Sequence, residues 1–584
     1  MSPITDGNLL RSALEHHQAG RLREAEALYR QILAAVPQHP DALHMLGILA
    51  HQTGHNEAAV ELIGRALRLT PAHAACHSNL GNALQALGRL DEAVTSFRRA
   101  VELDPALAQA HSNLGRALQA QGNLEEATDI FRQAIAINPD LAEAHNNLGY
   151  ALAEQGLPEP AIQSLRRALA LRPDFPEALN NSGMVLESQG LPEEAIMALQ
   201  HALALRPDYA EAHNNLGNAL KALGRLDEAA RSYRRALELQ PDYAEAHNNL
   251  GQALQAQGLV EAALACFDTA LALRPALAQA HWNKAIALLL SGDFAAGWPL
   301  YEWRWQALGP RVARRHFSEP LWLGETSLAG RTILLHHEQG LGDTLQMLRY
   351  VPVLAGLGAR VVVEVPETLA AVAATAAGSP TIVTEGTPLP PFDVQCPFMS
   401  LPLALKTTLA SIPGTMPYLR APAQAVLDWR DRLGERRRRR AGLVWSGAVG
   451  HRHDRQRSLP ALQLLPLLEL DVEFHSLQKE YRPGDLNVPA LASRVRDWSG
   501  QLGNLAATAG LIEELDLVIT VDTAVAHLAG ALGKPVWLLL PFAPDYRWLL
   551  ERTDSPWYPT MRLFRQPAFG DWEAVIGRVA ATLN

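Results

Sequence analysis

Through the first half of the chain, apolar residues return at the spacing of one helix face, and the whole pattern then recurs. In the stretch Ala75–Pro105 (ACHSNLGNALQALGRLDEAVTSFRRAVELDP), Leu80 and Leu84 stand four apart on a first helix. Gly88 ends that helix, because glycine accepts the left-handed conformation of a helix C-terminus. Asp91 and Glu92 open a second helix, where the dipole favours negative charge. Ala93, Phe97 and Ala100 share one face of it, and Pro105 closes the unit. The spacing predicts a helical hairpin whose two helices approach closely at small Gly81. Prolines from Pro37 to Pro275, and glycines from Gly47 to Gly251 and from Gly20 to Gly292, all keep a step of 34 residues. A period of this size marks stacked repeats, none of which buries its apolar face alone.

From Arg331 the pattern becomes short β-branched runs alternating with helical stretches, which predicts parallel sheets. Strands are expected at Thr332–His336, Arg360–Val365, Ala441–Trp445, Val472–His475, Leu517–Thr520 and Val536–Leu540. A helix is expected from about Thr344 to Leu357, after the turn HEQGLGD, and another from about Thr523. Two such sets parted near residue 430 imply two Rossmann-like lobes, whose ligands bind beyond the carboxyl ends of the strands. Between array and sheets, Trp298–Trp305 (WPLYEWRW) is rich in aromatics, and Gly309-Pro310 breaks the helical pattern. A last hairpin needs a cover, so 293–325 reads as a capping and docking segment, its aromatics forming interdomain core. The expected division is therefore 6–292 for the array, 326–430 for a first lobe and 440–584 for a second.

Composition narrows the partners. The 584 residues carry a formal net charge of −10 with 48% hydrophobic residues, a soluble globular balance with no general attraction for nucleic acid. The run Arg436–Arg440 is expected on a solvated or phosphate-facing surface. Cys76, Cys266 and Cys396 are far apart, which argues against a disulfide framework or structural zinc and fits a reducing cytoplasm. No secretory signal and no apolar run long enough to span a bilayer is legible.

The 34-residue units resemble the tetratricopeptide (TPR) family, which implies a superhelix whose first helices line a groove. Two ladders run through them. His77, His111, His145, His213, His247 and His281 occupy the slot of a large packing residue and are read as structural. Asn79, Asn113, Asn147, Asn181, Asn215, Asn249 and Asn283 recur at an interior helix position where asparagine is a mediocre former. Two readings stay open: hydrogen bonding within the array, or a row of amides gripping the backbone of a bound polypeptide. The TPR half of O-linked N-acetylglucosamine transferases has a similar asparagine ladder.

In the second half, GLGDTLQMLRYVP (Gly340–Pro352) and VDTAVAHLAGALGKPVW (Val521–Trp537) are similar to the heptosyltransferase-type (family 9) glycosyltransferases of GT-B fold. The resemblance implies that Asp343 is the base taking a proton from an acceptor, and that Gly340, Gly342, Asp522, Thr523, Ala524 and His527 serve a nucleotide-sugar donor. The free amides of the helix after Asp522 suit a phosphate. His336, His337 and Glu338 are alternatives to Asp343, and a plain helix cap is the structural reading of it. Ser446 and Gly447, in the loop after the AGLVW strand, are further donor candidates. Of Arg452, Arg455 and Arg457 in that loop, Arg457 stands where the family's phosphate-binding lysine is found. Gln478 and Lys479 end another strand and are read as donor contacts. No DxD motif is present at a strand end, so neither a metal nor another cofactor is expected.

The expected function is a metal-independent inverting transferase that moves a sugar from a nucleotide sugar to a polypeptide held by the array. By similarity to bacterial TPR-bearing flagellin glycosyltransferases, flagellin is a candidate acceptor. The alternatives are a heptosyltransferase-like enzyme acting on lipopolysaccharide or another glycan with TPR recruitment, or a non-catalytic scaffold.

Overall fold

The computed structural model describes residues 3–309, 314–448 and 454–584. The chain divides into two compact units, Met1–Gln240 and Pro241–Asn584. The first unit consists of seven helical hairpins, from Pro3–Gln18 paired with Leu22–Ala35 to Ala210–Ala222 paired with Leu226–Leu239. The array thus starts a little earlier than its period suggests. Two further hairpins open the second unit: Ala244–Ala256 with Val260–Leu273, and Ala278–Ser291 with Phe294–Tyr301.

The recurrent residues do recurrent jobs. A Cβ on Gly81 would stand 2.6 Å from the Phe97 ring, and one on Gly183 would stand 2.5 Å from Leu199 Cγ. The glycine is the notch that receives the large residue of the second helix. The histidines do more than fill a packing slot. Nε2 of His77, His145, His213, His247 and His281 donates to the carbonyls of Pro71, Pro139, Pro207, Pro241 and Pro275 at 2.8–3.0 Å. Each ring clasps the turn that enters its own hairpin. His111 instead approaches the carbonyl of Leu107, at 3.2 Å through Nδ1.

The α/β part holds two all-parallel sheets. The first contains β1 (Thr332–His336), β2 (Arg360–Val365), β3 (Thr381–Thr384) and β4 (Val394–Pro397), in the order β3-β2-β1-β4. The second contains β5 (Arg440–Val444), β6 (Glu473–Ser476), β7 (Val495–Arg496), β8 (Leu517–Val521), β9 (Val536–Leu540) and β10 (Met561–Arg565), in the order β10-β9-β8-β5-β6-β7. In each sheet the chain winds outward from one strand and then returns to that strand's other side. The switch points therefore lie between β1 and β4 and between β5 and β8. Helix Ala423–Leu433 packs on the second lobe, where Trp429 Nε1 donates to the Ala507 carbonyl at 2.7 Å.

Two details differ from expectation. The helix after β1 begins at Leu341 and is interrupted by a 3₁₀ turn at Leu348–Tyr350. Pro352, which has no N–H to give to the preceding turn, accounts for the break. The run Arg436–Arg440 is largely neutralised: Arg436 pairs with Asp516 at 2.7 Å and Arg438 with Asp471 at 3.0 Å. Arg440 is buried, donating to the carbonyls of Leu433, Gly434 and Glu435. Among the described residues no helix is long and apolar enough to cross a membrane.

Candidate active site

Loops at both switch points converge, as open parallel sheets dispose their ligand sites. After β1 the chain turns through His337–Gly340 into the helix Leu341–Met347. Asp343 sits in its first turn, with Oδ2 accepting from the Gly340 amide at 2.9 Å. After β8, Asp522 and Thr523 lead into the helix Ala524–Ala531, with Thr523 as its N-cap. The two helices meet: a Cβ on Gly342 would stand 2.9 Å from His527 Cδ2 and 3.6 Å from Ala524 Cα. Gly342 is thus a point of close approach between the lobes.

The carboxylates of the two lobes are held by consecutive residues of one turn. In the 3₁₀ turn Tyr546–Trp548, Arg547 pairs through Nη2 with Asp343 Oδ1. Its Nε donates to Gln346 Oε1 at 2.6 Å and its Nη1 to Asp545 at 2.8 Å. Trp548 Nε1 donates to Asp522 Oδ2 at 2.9 Å. Burial and the nearby Asp545 charge push the Asp522 carboxyl above its usual range, against the pull of Trp548, Arg547 and Arg457. Burial, with the charges of Arg547 and Arg349, holds His527 well below the usual imidazole value, so its ring is neutral. Its Nδ1 lies 2.9 Å from Tyr558 Oη and its Nε2 3.9 Å from Asp522 Oδ1. A ring that takes the Tyr558 proton at Nδ1 carries its own at Nε2, facing Asp522.

Arg457 also reaches this point. Its Nη1 donates to the Asp522 carbonyl at 2.9 Å, and its guanidinium lies so close over Gly447 that a Cβ there would clash at 2.5 Å. Ser446 is buried, and its backbone N–H and carbonyl both bind the amide of Gln478, at 3.3 and 2.9 Å. Gln478 Nε2 further donates to the Glu480 carbonyl. The Gln478 amide is therefore occupied by backbone, and it ties β6 to the loop after β5. Lys479 is exposed. Arg452 lies outside the described residues, as does the side chain of Arg455. Beside Arg457 a cavity of about 570 Å³ opens, lined in part by Ser458, Arg482, Pro541, Phe569 and Trp572. That is the size range of small-molecule sites.

The alternatives to Asp343 are otherwise engaged. Glu338 is held by Arg304 through both oxygens at 3.0 Å and by the Met399 amide at 3.0 Å. Its side chain is 3% exposed, and burial outweighs the Arg304 charge to push its carboxyl up to about 7. His336 is buried against Gln395 Oε1 at 3.0 Å, and burial holds its pKa down to about 4. His337 is partly exposed, 4.0 Å from Glu385. Among the described residues no group of three or more His, Cys, Asp or Glu side chains is placed to hold a metal ion.

Sequence reasoning missed Arg547, Trp548, Tyr558, Gln346 and Arg349. The last two lie inside the quoted GLGDTLQMLRYVP segment, but nothing in the string says they face the other lobe. Arg349 is buried, donating to the Trp557 carbonyl at 2.6 Å and lying over the Tyr418, Trp557 and Tyr558 rings. Arg349 is the one charged residue in Thr344–Ala359, and that was the available signal.

In the array, the ladder amides bond from one repeat to the one before. Nδ2 of Asn181, Asn215 and Asn283 donates to Asn146, Asn180 and Asn248 at 2.8–2.9 Å. Asn147 reaches Ser112 at 3.4 Å and Asn79 reaches His44 Nε2 at 3.0 Å. Asn249 Oδ1 accepts from its neighbour Asn248, and Asn113 Oδ1 from Gln109, both at 3.3 Å. An amide has two N–H groups and two lone pairs, so capacity remains on the half-buried members.

Comparison with known proteins gives each half its relatives. Tetratricopeptide-repeat family models match residues 16–81, 81–122, 115–156, 142–175, 192–224, 217–258 and 244–277. The model of glycosyltransferase family 9 (heptosyltransferase) matches residues 499–539, a span that includes β8, Asp522, Thr523, His527 and most of β9. Protein FlbA of Caulobacter vibrioides is 26% identical over 328 residues, covering 51% of this chain and 53% of that protein. The chain thus spans about half the length of the curated relative it matches. Among solved structures, a thermophilic TPR protein of Thermus thermophilus is 30% identical, covering 31% of this chain and 99% of its own, with a TM-score of 0.29. YrrB, described as a TPR protein with an unusual peptide-binding site, is 25% identical, covering 32% and 96%, with a TM-score of 0.26. The chain carries TPR repeats through its helical part and a glycosyltransferase family 9 segment in its second lobe.

Proposed function

We propose that this protein is a metal-independent inverting glycosyltransferase of GT-B type, acting in the cytoplasm on a polypeptide held by its TPR repeats. The observation that carries the reading is the placement of Asp343 and Asp522, from two lobes, against the adjacent residues Arg547 and Trp548. In this reaction Asp343 takes the proton of the acceptor nucleophile. The acceptor attacks the anomeric carbon from the face opposite the phosphate, and the carbon–oxygen bond to the nucleoside diphosphate breaks with its electron pair leaving on the phosphate.

The negative charge that develops there needs fixed donors. The N-terminal amides of Ala524–Ala531, Thr523 and Arg457 meet that need. Arg547 is neutralised by Asp343 and Asp545. The cavity beside Ser458 takes the nucleoside end.

Flagellin is the first acceptor to test. A glycan acceptor with TPR recruitment is the second reading, favoured by the match to the family 9 (heptosyltransferase) model. Purified protein is incubated with a panel of labelled nucleotide sugars, cell extract and purified flagellin. Label on protein is the expected result, and label on lipid or glycan alone overturns the polypeptide reading.

A further inference from the structure

One three-residue turn is the hub of the site. Arg547 grips Asp343 and Gln346 of the first lobe, and Trp548 grips Asp522 of the second. The remaining member, Tyr546, faces the last hairpin of the repeats. Its ring meets Trp298 edge-on, with centroids 5.9 Å apart, and Tyr301 at 6.0 Å. The Arg547 guanidinium lies 4.5 Å over the same ring. Trp298 and Tyr301 are themselves 2% exposed and packed together with Phe294. Tyr546, Arg547 and Trp548 are buried as well.

Two further features mark the turn as held in place from outside. The chain leaves it through Leu549 at φ 52°, a left-handed conformation that a leucine keeps only where its surroundings over-determine it. The same hairpin, with the helical turn Arg304–Ala307 that follows it, also grips the first lobe. Arg304 anchors Glu338, five residues before Asp343, and Tyr301 Oη donates to Gln339 at 3.4 Å.

We propose that Trp298 and Tyr301 are positioning residues for the transfer reaction: through Tyr546 they set the Tyr546–Trp548 turn, and with it the separation of Asp343 and Asp522. The proposal rests on Asp343 being the base. The last repeat is then part of the catalytic apparatus as well as the end of a binding surface. A cavity where Trp298 stood lets the turn relax, and Arg547 no longer holds Asp343 in register with the donor. The donor phosphate site keeps the Ala524–Ala531 amides and Arg457, so donor binding survives.

The test uses the full chain with Trp298→Leu, Tyr301→Leu and the conservative Tyr301→Phe. Misplacement of a reacting group by about 1 Å is expected to lower kcat on the order of 100-fold. Donor KM stays near the wild-type value, and Tyr301→Phe keeps wild-type turnover because the ring packing remains. Hydrogen exchange without substrate supplies a second reading: Trp298→Leu speeds exchange at 340–347, across the turn in the other lobe. Faster exchange confined to 294–301 and 546–548, or a kcat that falls only in step with the folded fraction, overturns the proposal. If the wild-type protein transfers sugar from no donor, the functional reading falls while exchange at 340–347 still decides the coupling.

Discussion

The helical array and the α/β half solve the same problem, the satisfaction of buried polar groups, in opposite ways. In the array one contact is made many times. The His–Pro clasp and the Asn amide bond recur along the array, each linking residues a fixed distance apart in sequence. In the α/β half each contact is made once, between residues as remote as Asp343 and Arg547. Repetition makes a structure tolerant, because the loss of one copy leaves the others. A site built from single copies has no such reserve.

The sharpest break in that contrast comes from Asp343→Asn, which keeps size and shape. Loss of a general base is expected to lower turnover by roughly 100- to 10,000-fold, measured as kcat per folded molecule. Turnover near wild type removes Asp343 from the chemistry.

A titration in the array comes next. Burial, with the nearby His73 charge, holds the His44 pKa down to about 4, and its Nε2 accepts from Asn79. A histidine depressed in the folded state stabilises fully above its unfolded pKa of 6.5 and loses that contribution as pH falls toward about 4. The shift corresponds to about 3 kcal/mol. Backbone exchange followed from pH 7 downward is expected to rise first in the repeats around His44 and only later elsewhere. Simultaneous loss over all repeats contradicts the local character claimed for the array.

The same small change in each region separates packing from function. Gly183→Ala forces Leu199 aside and is expected to cost about 1–3 kcal/mol by denaturant unfolding, with turnover per folded molecule intact. Gly342→Ala drives a methyl into His527 at the lobe contact and is expected to lower turnover more than stability. The smallest effect is Asn215→Ala, which removes one rung. A cost of about 1 kcal/mol, the net worth of one hydrogen bond, is expected, with acceptor KM barely changed. A large rise in KM from this one amide shows the ladder acting as a binding surface of unequal members.

What could be read from the chain follows the same division. The hairpins, their notches and their turns were legible because each signal is local and repeated. In the sheets, the strands read from the sequence, β1, β2, β5, β6, β8 and β9, are all central. The unread β3, β4, β7 and β10 are the four edges. A central parallel strand is buried on both faces and reads as an apolar run. An edge need not: β4 is Val394–Pro397 (VQCP), and β7 has only two residues. Asp343 and Asp522 were singled out because the segments around them resemble a known family, and because each follows a strand and opens a helix. Arg547 was not, because its charge has meaning only beside groups some 200 positions away, and no spacing rule covers such a distance.

The amide rungs carry a consequence for how such a chain changes over generations. Each rung joins a residue to one 35 positions back, and each clasp closes within six. Gain or loss of one whole hairpin by gene duplication or deletion keeps that 35-residue step between the repeats on either side. An insertion of any other length leaves an amide facing the wrong side chain. The repeated part therefore changes only in whole steps, like a ruler cut at its marks.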